Sequence, residues 1–244
     1  MTYRMLASGL IAGFAAGLFA ALLHFALIQS VLLTGERYES GALVHFAAQG
    51  SSGSDNPLAE SAPAAATADG HGEHGEAVSS LQRNTLTVLF TALTYSAYGL
   101  FLAAGYGLAR HLGHQVTPRA GLLWGLAGFA ALQLAPALGL PPELPGTITA
   151  ELEARQIWWL GTVLATGLGI ALLAHGRGGV AAWVAAGALL AAPHVIGAPQ
   201  PDRFWGVAPP ELGAMFAARA LGVGLLAWLA LGWLSAKMWD ATAE

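Results

Sequence analysis

The chain has 244 residues, 55% hydrophobic and only 10% charged, with a formal net charge of −4 and no cysteine. Soluble domains carry about 25% charged residues, so this composition cannot clothe a water-facing surface and points to a membrane protein. The lack of cysteine excludes disulfides, thiolate metal sites and cysteine nucleophiles, and the acidic balance gives no reason to expect a nucleic-acid partner.

Arg4 followed by an apolar run has the look of a secretory signal peptide. The uncharged stretch runs from Met5 to Leu33, well past the roughly 7–15 residues of a signal h-region, so it is expected to be a retained first span. A hydrocarbon core about 30 Å thick takes roughly 20 apolar residues per helix. Six stretches meet that length: 6–33, 85–109, 120–139, 157–174, 179–197 and 213–236. The expected fold class is an all-α polytopic bundle forming a single integral membrane domain over 1–244. The fifth stretch is the weakest, because Pro193 and Gly197 interrupt it. A five-span reading, with that segment re-entrant, stays open.

The connections alternate in charge. One set holds Arg4, Arg110, Arg119, Arg177 and Lys237 with only Asp240 and Glu244, while the other carries twelve of the fourteen acids. Lys and Arg resist translocation, which puts both termini in the cytoplasm and the acidic loops outside. Trp158, Trp159 and Trp239 fall at span ends, as interfacial aromatics do. The first outer loop, 34–84, contains an Ala-, Ser- and Gly-rich insert at 50–80 that reads as flexible. Pro141-Pro142-Glu143-Leu144 recurs as Pro209-Pro210-Glu211-Leu212 in a later outer loop, the one hint of an internal repeat.

Polar side chains inside spans are costly, so each is a functional candidate. Gly9, Gly13, Gly17 and Ala21 form a small-residue ridge on the first span, with His24 on the same stripe. Thr87, Thr91, Thr94 and Tyr98 share one face of the second span, and Thr162 and Thr166 repeat the idea in the fourth. These are candidate pathway-lining residues, although a membrane threonine often bonds only its own i−4 carbonyl. Gln133, Pro136, Pro193, His194, Met215 and Arg219 all fall in the outer half, where proline frees backbone carbonyls for an ion. Arg219 is expected to pair with Glu211, Glu151 or Glu153, or to snorkel outward, and Arg155 is a second structural cation.

In the external insert, His71, Glu73, His74 and Glu76 make a compact imidazole–carboxylate cluster. Imidazole suits Co, Ni, Zn and Cu, so the cluster is a candidate metal-capture segment; its bland alternative is a solvated linker. His24 and His194 are the candidate intramembrane ligands. No G-x-x-x-x-G-K-[ST], H-E-x-x-H or G-x-S-x-G motif occurs, so neither ATP hydrolysis nor another enzymatic activity is expected of this chain.

Several segments resemble the CbtA family, the proposed membrane subunit of a bacterial cobalt transporter. They are the glycine-rich first span leading to Tyr38-Glu39, Leu144-Pro145-Gly146 followed by Arg155-Gln156-Ile157-Trp158-Trp159, Pro193-His194-Val195-Ile196-Gly197-Ala198-Pro199, and Pro210-Glu211-Leu212. The resemblance covers nearly the whole chain apart from about 50–80. It implies cobalt uptake across the bacterial inner membrane, with Co²⁺ (or Ni²⁺ or Zn²⁺) as transported ion and no tightly bound cofactor. It also implies a small single-span partner with a histidine-rich end; a homo-oligomer is compatible with it. The family is usually described with five spans. Three functions follow for testing: a divalent-metal permease, a non-transporting metal-binding or assembly subunit, and a haem-binding oxidoreductase subunit with His24 and His194 as axial ligands.

Overall fold

The computed structural model describes residues 2–45, 79–175 and 179–243. The expected capture cluster His71, Glu73, His74 and Glu76 lies outside the described residues, as does most of the 50–80 insert. The described chain is helical, in the order α1 (Thr2–Leu23), α2 (Gln29–Glu39), α3 (Ser80–His111), α4 (Pro118–Phe129), α5 (Ala135–Ala137), α6 (Leu152–His175), α7 (Val180–Ile196) and α8 (Pro210–Ala243). A π turn at His24–Ile28 joins α1 to α2, and another at Ala130–Leu134 joins α4 to α5. The chain is an all-α polytopic bundle.

Five of the six predicted spans reappear as helices long and apolar enough to cross a membrane: Met5–Glu39, Ser80–His111, Pro118–Ala137, Leu152–Ala174 and Pro210–Ala241. The predicted fifth span is α7, which has 17 residues and so runs about 25 Å, slightly under a hydrocarbon core. It does not turn back on itself. Gly169 of α6 sits against Ala186 and Leu190 of α7, and the Trp158 indole donates to the Pro193 carbonyl at 3.2 Å. The two helices are therefore an antiparallel hairpin, and α7 brings the chain back to the face from which α6 left. The bridge between Thr147 and Gly206, with the Ile148 amide donating to the Trp205 carbonyl at 2.9 Å, joins the loops on that face.

Glycine rows hold the bundle together. Lipid gives helices no hydrophobic reason to associate, so association depends on close packing, which small residues permit. A Cβ on Gly9 would lie 2.8 Å from the Gly99 carbonyl oxygen, and one on Gly17 2.6 Å from the Ala92 Cα. The ridge read from the sequence is thus the α1–α3 interface. Gly121 and Gly125 of α4 meet the Trp228 and Gly232 backbone of α8 in the same way. α8 lies at the centre, touching α1, α3 and α4, and its Trp228, Leu231 and Ser235 are almost wholly buried. The Tyr106 hydroxyl bonds Ser235 Oγ at 2.9 Å and donates to the Gly232 carbonyl at 3.2 Å.

The ends of α4 are explicable residue by residue. Thr117 caps it by accepting from the Ala120 amide at 3.2 Å, and Pro118 fits the first turn, where no donor is needed. The π turn at Ala130–Leu134 ends two residues before Pro136. A proline ring clashes with the carbonyl four residues back, and a wider turn relieves that clash.

The recurring Pro-Pro-Glu-Leu segments are not structurally equivalent. The first lies in the loop between α5 and α6, where Leu144 is buried against Gly35 of α2. The second leads directly into α8.

Candidate functional site

The α6–α7 hairpin leans on the rest of the bundle mainly through the second π turn and α5. Beside that contact a cavity of about 750 Å³ remains open. Its walls come from Leu32 of α2, the Leu132–Ala137 stretch, the proline-rich loop before α6, the first turns of α6, and Ala220 and Leu221 of α8. Most of the lining is apolar. The polar groups are Gln133, Glu143, Thr149, Arg155 and Gln156. The mouth of this cavity is at the end of the bundle that carries the proline-rich loop.

Glu143 is exposed at its edge yet partly desolvated. Burial pushes its carboxyl above the ordinary carboxylate range, and the Arg155 guanidinium opposes the shift. Arg155 thus acts on Glu143 through its charge, without a direct ion pair among the described residues. Glu143 was noticed in the sequence only as part of a repeat, and nothing in its spacing marked it as a cavity residue.

Gln133 lies at the inner end. Its side chain reaches past the π turn to Gly224 of α8, where a Cβ would collide with Oε1. The amide lies beside the Tyr95 hydroxyl of α3, while Oε1 is buried without a hydrogen-bond partner. Beneath it, Tyr98 stacks on Trp228 with ring centroids 4.7 Å apart, and Tyr95 meets Tyr98 edge-on at 5.6 Å. These rings close the interior below Gln133.

The remaining sequence candidates are dispersed. His24 opens the first π turn, half-buried, with Phe25 edge-on to its ring at 5.7 Å. His194 is on the exposed side of α7, beside Trp158 at 6.3 Å. α7 packs on α6 and on no other helix to a comparable extent, whereas the His24 turn packs on α8. The two imidazoles therefore sit on elements that do not pack together. Thr87 donates to the Arg83 carbonyl of its own helix at 3.0 Å. Thr91 is half-buried, its backbone in the α1 contact at Gly17, and Thr94 is exposed. Thr162 donates to the Trp158 carbonyl at 2.8 Å, and Thr166 is buried on the same face of α6, which packs on α7. Met215 is exposed on α8.

Among the described residues, Arg219 takes no carboxylate partner. Its Nη1 donates to the Leu27 carbonyl at 2.8 Å, and Glu211 is exposed at the start of α8. Among the described residues, the ion pair formed is Arg83–Glu36 at 3.7 Å, next to a bond from Gln29 Nε2 to Asn84 Oδ1 at 3.1 Å. These contacts tie α2 to the start of α3. Among the described residues no three His, Cys, Asp or Glu side chains converge as a metal site.

A glycine-packed bundle of helices long and apolar enough to cross a membrane defines a multi-pass membrane protein. The chain belongs to the CbtA family: it matches the family described as "Probable cobalt transporter subunit (CbtA)" over residues 2–240. No curated protein and no solved structure is significantly similar to it. Membership supports a role in metal transport, and the word subunit implies partner proteins.

Proposed function

We propose that this chain is the permease of a divalent-cation uptake system in the bacterial inner membrane, with Co²⁺ as cargo and no ATPase of its own. Family membership supports the metal-transport class. The observation that carries the permease reading is the cavity, which runs from the external proline-rich loop inward to Gln133. Its oxygen donors are Glu143, Thr149, Gln156 and Gln133. Such a set attracts and partly replaces the hydration of a divalent ion without gripping it, which suits passage.

Oxygen donors favour Mg²⁺, Ca²⁺ and Mn²⁺ as readily as Co²⁺, whereas imidazole favours the later transition metals. Selection for the metal therefore falls to the imidazoles of His71 and His74, with Glu73 and Glu76 supplying charge, before the ion reaches the cavity. A small single-span, histidine-rich subunit is the proposed partner in that handover. His24 and His194 act separately on this reading, one at the π turn and one on the outer part of α7. Inward movement needs no ATP, since the membrane potential supplies about 2.3 kcal/mol per charge per 100 mV, doubled for a divalent ion.

The test is Co²⁺ uptake into proteoliposomes under an inside-negative potential. Replacing Glu143 by Gln removes the acidic group that lines the cavity among the described residues and is expected to lower uptake several-fold at limiting Co²⁺. Equal uptake by wild type and Glu143→Gln would remove the cavity from the route.

A further inference from the structure

We infer that the Gln133 carboxamide oxygen is a direct cation ligand, the last one a divalent ion meets before the closed interior; this rests on the metal-transport reading. Four observations converge on that oxygen. Gln133, the residue that carries it, lines the cavity. The oxygen is buried and accepts no hydrogen bond among the described residues, and a buried acceptor left in that condition is costly unless something else occupies it. Its orientation is set, because the amide lies beside the Tyr95 hydroxyl. Space for it is reserved, because any side chain at position 224 would collide with it.

The amide has a packing contact at the Tyr95 hydroxyl, yet its oxygen is left over. The Trp228 indole N–H, one turn along α8 from Gly224, is also buried and unpartnered. The two groups therefore do not satisfy each other, as a packing hydrogen bond would require. The second π turn includes Gln133, so the wide turn that accommodates Pro136 also positions this side chain. π turns of this kind often mark functional positions. Tyr98 and Trp228, stacked below, put aromatic rings in the way of the ion until the bundle rearranges.

The ligand class follows from the donor. A neutral amide oxygen contributes one weak, rapidly exchanging bond, so the ion retains most of its water and takes its charge balance from Glu143 in the same cavity. A carboxylate at position 133 would instead hold the ion more tightly and release it more slowly.

The experiment measures Co²⁺ binding and transport by the full chain carrying His71→Ala and His74→Ala, which removes the external imidazoles from the binding signal. Gln133→Leu is expected to weaken the remaining binding by at least about tenfold, as loss of a metal contact does. Gln133→Glu is expected to strengthen binding while lowering maximal uptake. A merely structural glutamine would not split affinity and turnover in this way. Gly224→Ala, which displaces the oxygen without altering the amide, is expected to act like Gln133→Leu and serves if either position 133 variant fails to fold. Folded variants at 133 and 224 that bind Co²⁺ within twofold of the parent would overturn the assignment, as would a parent that binds none. The two proposals fail separately: a parent that binds at Gln133 but does not transport contradicts the permease reading alone.

Discussion

The Arg219 guanidinium donates to the Leu27 carbonyl at 2.8 Å, fastening α8 to the π turn between α1 and α2. A π turn interrupts the regular i→i−4 ladder and leaves a carbonyl available, and here a cation from another helix uses it. A hydrogen bond from a charged donor contributes about 1.5–3 kcal/mol, somewhat less at a partly exposed site. Arg219→Ala is therefore expected to destabilise the protein by about 1–2 kcal/mol in thermal unfolding in nanodiscs, with Arg219→Lys recovering part of the loss. Unchanged unfolding of Arg219→Ala would show that the contact contributes nothing.

The glycine rows allow a paired test. Gly99 has its backbone against Gly9 and Gly13, whereas a Cβ on Gly161 would meet nothing within 4 Å. Overpacking costs about 1–3 kcal/mol, so Gly99→Ala should destabilise by that amount. Gly161→Ala should be neutral or slightly stabilising. Equal effects at the two sites would contradict backbone-to-backbone packing of α1 on α3.

Glu143 makes the cavity sensitive to pH. Its carboxyl is raised by burial, with Arg155 opposing. The folded chain therefore binds this proton more tightly than the unfolded chain does. The associated stability is fully present below the unfolded pKa and is lost as pH rises through the folded one. Metal capture runs the other way, because it needs the carboxylate. Co²⁺ uptake should fall on acidification with a midpoint above that of an ordinary glutamate, and Glu143→Gln should flatten that step. A profile shared by both proteins would assign the pH dependence elsewhere.

The path of α7 decides the side of the C-terminus. The chain has no cysteine, so single cysteines at Glu151, Asp202, Gln115 and Ala241 can be probed with an impermeant maleimide on intact cells. The hairpin predicts labelling at 151 and 202 from outside and protection at 115 and 241. Labelling at 241 from outside would mean that α7 does not cross.

What was legible in the sequence was whatever depends on length and period. Five spans and the Gly9–Gly13–Gly17 ridge follow from apolar run length and four-residue spacing, and both reappear as helices and an interface. The partner of Arg219 was not legible, because the acceptor is a backbone carbonyl at a π turn, and no residue in His24–Ile28 announces that turn. The threonine face was regular in sequence, yet Thr87 bonds its own helix and Thr94 is exposed, since period alone does not say which face meets protein. The Tyr98–Trp228 stack was hidden for the same reason: in an apolar run, a buried aromatic and a lipid-facing one look alike. The cavity depends on a proline-rich loop folding against α2 through Leu144, a contact distant in sequence.

The most direct measurement is Co²⁺ entry into sealed proteoliposomes holding this chain, followed by quenching of a trapped metal indicator while the potential is stepped. The permease account predicts saturable entry that increases with inside-negative potential, needs no ATP, and falls in Glu143→Gln. No entry above protein-free vesicles, with the partner subunit present as well as absent, would contradict it and leave a metal-binding or assembly role for the chain.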